Sequence, residues 1–191
     1  TTSTLQQEAG RKLRLDAGET MRVAQSLYEN GFITYHRTDS FNLSDEAIQG
    51  TRKRVAEQYG KEYLSPEIRR FKTKSRSAQE AHEAIRPSSV QVTAEMLEGM
   101  EPDAMRLYDL IWRQFVACQM TPAQYDSSTL TVKAGEFELK ARGRTLRFAG
   151  WTKALPPMGR KGDDSQLPAV TVGEILKLVK LDPRQHFTKP P

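Results

Sequence analysis

The sequence has 191 residues, 37% hydrophobic and 28% charged, room for one ordinary domain or two small ones with a modest core and a large solvated surface. No uncharged apolar stretch approaches the roughly 18 residues of a membrane span, and the single cysteine, Cys118, excludes an internal disulfide and a cysteine-based zinc cluster within the chain, so a reducing, cytoplasmic compartment and no membrane partner are expected. Lys and Arg number 29 against 24 Asp and Glu, a net +5, and the excess gathers in two runs: Arg69, Arg70, Lys72, Lys74 and Arg76, then Lys140, Arg142, Arg144, Arg147, Lys153, Arg160 and Lys161. Such runs suit a polyanion such as nucleic acid, or they are solvated faces.

In chain order, Thr4 followed by Gln7 reads as a capping box for a first helix. A second is expected from about Gly18 to Asn30, with Met21, Ala24, Leu27 and Tyr28 on one face and Gly31 as its C′ residue. Ser44 caps a third, with Asp45 and Glu46 favourable to its dipole. Its buried stripe is Ala47, Ile48, Val55, Ala56 and Tyr59, and Gly60 ends it. The longest helix runs from Pro102 to Met120, with Leu107, Tyr108, Ile111, Trp112, Phe115 and Val116 as its apolar face.

After Pro122 the period changes from helical to alternating. Leu130 to Val132 and Phe137 to Ala141 read as half-buried antiparallel strands joined by a turn at Ala134-Gly135-Glu136. Leu146 to Phe148 and Ile175 to Leu181 are further strand candidates, for three or four in all, and Leu155 to Pro168 reads as a loop or mobile segment. The fold class is therefore α+β: a mainly helical unit, residues 1–121, followed by part of an antiparallel β unit, residues 122–191. The start at Thr1 and the end at Lys189-Pro190-Pro191 read as a piece of a longer polypeptide.

Chemistry concentrates in two places. In Tyr35-His36-Arg37-Thr38-Asp39-Ser40, extended backbone would send Tyr35, Arg37 and Asp39 out on one face. A phenol beside a guanidinium is a workable phosphoryl-transfer pair, since Arg37 can fork onto phosphate oxygens and Asp39 can orient it. The alternative is a polar turn in which Tyr35 tucks under the fold and Arg37 pairs with Asp39. In Gln79 to Pro87, a helix would place His82 and Arg86 on one face, within reach of one phosphate. The alternative there is a surface turn with a Glu83–Arg86 pair. His186 has no such company and is read as structural or exposed.

Gly31 to Ser40 (GFITYHRTDS) closely resembles the active-site tyrosine motif of the type IA DNA topoisomerases of bacteria. Thr1 to Ala9, Gln79 to Ser88, Leu107 to Ser127 and Leu139 to Trp151 are similar to further stretches of that family, in the same order, so the resemblance spans essentially the whole chain. It implies a tyrosine-bearing helical domain followed by part of a β-strand arch. It also implies an ATP-independent isomerase in which Tyr35 is the nucleophile, forming a 5′-phosphotyrosyl link to one DNA strand. Strand passage and religation would then relax negative supercoils. Arg37 takes the place of the arginine at the scissile phosphate, and His82 that of a histidine bonding DNA phosphate near it.

DNA contacts are implied for Lys12, Arg14, Arg37, Thr38, Asp39, His82 and Arg86. His36 departs from the family, where methionine is expected, and adds a titratable group beside the nucleophile. In the family, Mg²⁺ and a catalytic Glu come from a Toprim domain with an acidic DxDxE cluster. This chain has no such pattern, Asp163-Asp164 included, so no metal or other cofactor site is expected in it. The fragment is expected to be catalytically incomplete, a bacterial, cytoplasmic, nucleoid-associated enzyme's part whose partners are single-stranded DNA and the absent domains. Two rival readings are a tyrosine recombinase, whose tyrosine would follow rather than precede the His and Arg, and a non-catalytic single-stranded nucleic-acid-binding module in which Tyr35 stacks on a base.

Overall fold

Hydroxyl and carboxylate caps start three of the four helices. In the computed structural model, which describes residues 1–71, 82–157 and 166–188, α1 spans Thr2–Leu13 and its capping box is Thr1 with Thr4. The box expected at Thr4–Gln7 thus lies a turn earlier, because Thr4 is already the third helical residue and returns its side chain to the cap. Helix α2 (Ala17–Glu29) opens on a reciprocal Asp16–Glu19 box, and Val23, Ala24 and Leu27 are buried. Tyr28, expected on that face, is instead 42% exposed. Gly31 at φ 74° turns the chain out of the helix, a conformation glycine adopts without the Cβ penalty.

Ser44 accepts from the Ala47 amide and starts α3 (Asp45–Gln58). Helix α4 (Pro102–Ala117) begins with its proline in the first turn, where no amide partner is lost. All six apolar residues expected on its face are buried. The Tyr108 hydroxyl donates to the Val92 carbonyl at 2.9 Å and the Trp112 indole to that of Val90 at 2.9 Å, so both rings enter the core with their polar atoms satisfied. Burial pushes the Tyr108 phenol up to about 12 and the Cys118 thiol up to about 11. Both stay protonated at neutral pH.

Strands β1 (Gln124–Ala134) and β2 (Phe137–Phe148) form a long antiparallel ribbon around Gly135. Leu146 to Phe148 is the end of β2 rather than a separate strand, and Ile175 to Leu181 forms none. Its Ile175, Leu178, Val179 and Leu181 are exposed, and apolar alternation becomes a strand only against a partner backbone. The sheet has two strands among the described residues, not three or four. Residues 158–165 of the expected loop, with Arg160, Lys161, Asp163 and Asp164, lie outside the described residues.

The ribbon is held at its base. Trp151 N–H donates to the Thr121 carbonyl at 2.9 Å, Phe148 stacks on Tyr63 with centroids 4.8 Å apart, and the Lys153 ammonium lies 4.5 Å over the same Tyr63 ring. Ala154 and Leu155 then return to the helical core. The result is α+β, four helices and a two-stranded sheet among the described residues. None of these helices is long and apolar enough to cross a membrane.

Candidate active site

Tyr35 lies in a segment tied down on both flanks by backbone. On one side, Ser88 N–H donates to the Phe32 carbonyl at 2.8 Å and Thr34 N–H to that of Arg86 at 2.9 Å, around an isolated antiparallel bridge between Ile33 and Pro87. The Thr34 hydroxyl donates to the Ala84 carbonyl at 2.8 Å and accepts from the Arg86 amide at 2.9 Å. On the other side, the Thr2 hydroxyl donates to the His36 carbonyl at 2.8 Å and accepts from the Thr38 amide at 2.9 Å. Thr2 N–H donates to the Thr38 carbonyl at 2.8 Å. The N-terminus of α1 and the 84–88 segment therefore clamp residues 32–38 between them.

Held this way, the segment alternates: Tyr35, Arg37 and Asp39 are exposed, while His36, Thr38 and Ser40 are buried. Tyr35, Arg37 and Asp39 are thus all exposed, but the backbone bends at His36 and Arg37 rather than running extended as expected. No Arg37–Asp39 ion pair is among the described contacts, so the guanidinium is free for an external anion. The Thr38 hydroxyl is turned inward and accepts from the Ser40 amide at 3.0 Å, leaving it as a local brace. Tyr35, 44% exposed, leans edge-on against Tyr28 and His36, with centroids 5.3 and 5.2 Å away.

The second cluster is not helical where it is described. Residues 82–84 have no regular structure and Pro87 pairs with Ile33, because Thr34 takes up the Ala84 and Arg86 backbone groups that a helix would use. Gln79 to Ala81, like Lys72, Lys74 and Arg76 of the first basic run, lie outside the described residues. His82 is exposed, two residues from Ala84, whose amide donates to the Asn42 carbonyl at 2.8 Å. Arg86 is drawn inward: its guanidinium meets Glu83 at 2.6 Å with the side chain 15% exposed, and it donates to the Pro87 carbonyl at 3.0 Å. Glu83 also accepts from the Ser44 amide at 2.9 Å, so this pair locks the site to the start of α3.

Lys12 is 11% exposed and pairs with Glu8 at 3.3 Å. Burial alone would raise the Glu8 pKa, but hydrogen bonds from Arg11 and Lys12 outweigh it and the net direction is down. Arg14 is exposed at the left-handed end of α1, φ 65°. With Arg11, Arg69 and Arg144, Lys12 lines a cavity of about 580 Å³ walled by Trp151. By register, one face of the ribbon carries Lys140, Arg142 and Arg144 opposite Thr131, Thr129 and Ser127. The other carries Leu130, Val132, Phe137 and Leu139.

The sequence assigns no role to Thr2 or Thr34, whereas the Glu83–Arg86 pair of the alternative reading is formed. Nothing in the local sequence marks Thr2, whose partners lie more than thirty residues away. Glu83 was visible only as the partner of Arg86. As for metal, no group of three or more His, Cys, Asp or Glu that could hold an ion occurs among the described residues. Asp39 is the one carboxylate on the strip with Tyr35 and Arg37, so these residues do not fit a divalent cation.

The profile of the DNA topoisomerase family matches residues 1–191. The chain is 60% identical over 191 residues to DNA topoisomerase 1 of Escherichia coli K12, and 58% identical over 190 residues to that of Haemophilus influenzae. Each alignment covers 100% of this chain and 22% of the relative, so the chain spans about a fifth of the length of these curated relatives. Full-length topoisomerase I from Thermotoga maritima superposes with a TM-score of 0.73 at 36% identity, over 89% of this chain and 28% of that one.

Proposed function

The chain belongs to the bacterial DNA topoisomerase family, of type IA, and we propose that it is the nucleophile-bearing part of such an enzyme, with Tyr35 as the attacking residue. The observation that carries this reading is the clamped strip in which Tyr35 and Arg37 face outward together while the residues between and beyond them are buried. Attack in line forms the Tyr35 Oη–phosphorus bond and breaks the bond from phosphorus to the 3′-oxygen. The phenolic proton is given up and the 3′-oxygen takes one. The product is a 5′-phosphotyrosyl link and a free 3′-hydroxyl, and reversal reseals the strand. The phosphoester bond is exchanged rather than hydrolysed, so ATP is not required for the chemistry.

Arg37 has no competing carboxylate among the described contacts and stabilises the charge that builds on the non-bridging oxygens. His82, exposed at the edge of the clamp, bonds a flanking phosphate. Asp39 and Arg14 contact DNA at the rim of the strip. Thr38, Lys12 and Arg86, turned inward or paired, act by bracing it in this conformation. Arg142 on the ribbon adds a phosphate contact, as does Lys140 once it exchanges its Glu138 partner for phosphate, and affinity falls with salt because releasing counterions into a more concentrated solution gains less free energy. The helical unit through residue 121 presents the tyrosine, and residues 122–191 form part of the arch. The Mg²⁺ dependence, the acidic Toprim residues and the location in the cytoplasm at the nucleoid belong to the longer enzyme.

The test uses end-labelled single-stranded DNA and Mg²⁺. The chain alone is expected to shift DNA mobility without leaving a covalent adduct on a denaturing gel. A longer enzyme containing it is expected to leave one, lost in Tyr35→Phe with binding retained. An adduct that survives Tyr35→Phe overturns the assignment. Binding that depends on the Tyr35 ring, with no adduct from either protein, favours the stacking module instead.

A further inference from the structure

Tyr28, Tyr35 and His36 meet as three rings, with centroid separations of 5.3, 5.2 and 5.7 Å. Tyr28 and Tyr35 are partly exposed, but His36 is only 3% exposed. Neither of its ring nitrogens has a hydrogen-bond partner among the described residues. An imidazole in this position forgoes the bonds it would make to water and makes ring contacts in their place. Its backbone, like that of Tyr35, is held within the clamp, the Thr2 hydroxyl donating to the His36 carbonyl at 2.8 Å. The Tyr35 hydroxyl has no hydrogen bond among the described contacts, and its ring packs edge-on against Tyr28 and His36.

We propose that His36 is a positioning residue for Tyr35: its neutral imidazole, packed beneath the Tyr28–Tyr35 contact and against both rings, sets the direction in which the Tyr35 hydroxyl leaves the surface, and on gaining a proton it leaves this cluster and frees the Tyr35 ring. The consequence for strand cleavage rests on the reading of Tyr35 as the nucleophile. Two charged groups act on His36. Arg37, next in the chain, opposes a second positive charge, and Glu29 at the end of α2 favours one. Helix α2 otherwise contributes the Tyr28 phenol, and α1 contributes Thr2, which carries no charge in its side chain. Burial, aided by Arg37 and opposed by Glu29, holds the imidazole below its ordinary value of 6.5.

The test follows both rings in the chain itself. With ¹³C-labelled tyrosine and histidine, the Tyr35 ring signals are identified by their loss in Tyr35→Phe. At mildly alkaline pH they are expected to carry the displaced shifts of a ring packed against two others. On acidification those shifts should collapse along the same titration curve as His36, with a midpoint below 6.5. His36→Met, which fills the space without taking a proton, should keep the packed shifts throughout. His36→Ala should lose them at every pH.

A His36 that titrates at or above 6.5, or Tyr35 signals that ignore its titration, overturns the proposal, and the wild-type curve decides this even if a variant fails to fold. Filling of space alone predicts identical pH behaviour for His and Met, and that result also overturns it. These signals require no DNA. They are therefore separate from a failure of Tyr35 as nucleophile, which appears as an adduct persisting in Tyr35→Phe.

Discussion

Tyr35 is exposed because its neighbours are not. His36, Thr38 and Ser40 turn inward, and along a backbone that bends at His36 and Arg37 the side chains between them stay at the surface. Arg37 is the residue whose role is most sharply tested. If it meets charge that exists only as the phosphate passes through its transition state, Arg37→Ala made in the longer enzyme lowers single-turnover cleavage roughly a hundredfold while affinity for the same oligonucleotide changes by less than about threefold. Equal losses in both would make it an ordinary phosphate contact. At this scale the exposure of Tyr35, Arg37 and Asp39 was legible from residue types two apart. The inward commitment of Arg86 was not, since its two alternatives in the sequence, phosphate or Glu83, differ only in which one the fold brings near.

His36 also makes a stability prediction of fixed sign. Below 6.5 the unfolded chain takes up a proton that the folded ring resists, so this residue's contribution to the fold declines as pH falls from that value, and is constant above it. The urea midpoint of His36→Met is therefore expected to fall less between neutral and mildly acidic pH than that of the wild type. Parallel declines would mean that the folded imidazole titrates normally.

Among the elements, the helix faces were readable because burial at a period of 3.6 leaves a strong pattern; α4 carried all six of its expected core residues. Caps were less so. Thr1 and Thr4 are both competent to cap α1, and which one closes the box depends on where the chain enters the helix. The ribbon's turn at Gly135 was visible, but its length was not, because Gly143 interrupts the alternation that β2 continues through. Ile175 to Leu181 shows the converse: the pattern is present and the partner strand is not.

The joint between ribbon and helices depends on Gly150. Its φ is 50°, and a Cβ there would lie 2.4 Å from the Pro122 carbonyl carbon and oxygen. Gly150→Ala should therefore cost about 2 kcal/mol or more from backbone strain and overlap together, read as a lower urea midpoint. It should also weaken the Tyr63–Phe148 stack, read in the aromatic signals. An unchanged midpoint would mean that the joint relaxes freely and does not fix the ribbon's direction.

For the whole molecule, a net charge of +5 and a cationic ribbon face accord with a polyanionic partner, while the strip of Tyr35, Arg37 and Asp39 has no carboxylate cluster for a metal among the described residues. On the proposed reading, this chain would hold the strand and supply the nucleophile, while ionisation of the phenol and handling of the leaving oxygen would draw on groups in the longer enzyme. The direct measurement traps the covalent complex of that enzyme on single-stranded DNA, digests it with nuclease and protease, and locates the residual nucleotide by mass spectrometry. The account predicts a phosphoryl link at Tyr35, with the DNA joined through its 5′ end. A link at Tyr28, at any other residue, or through a 3′ phosphate would contradict it.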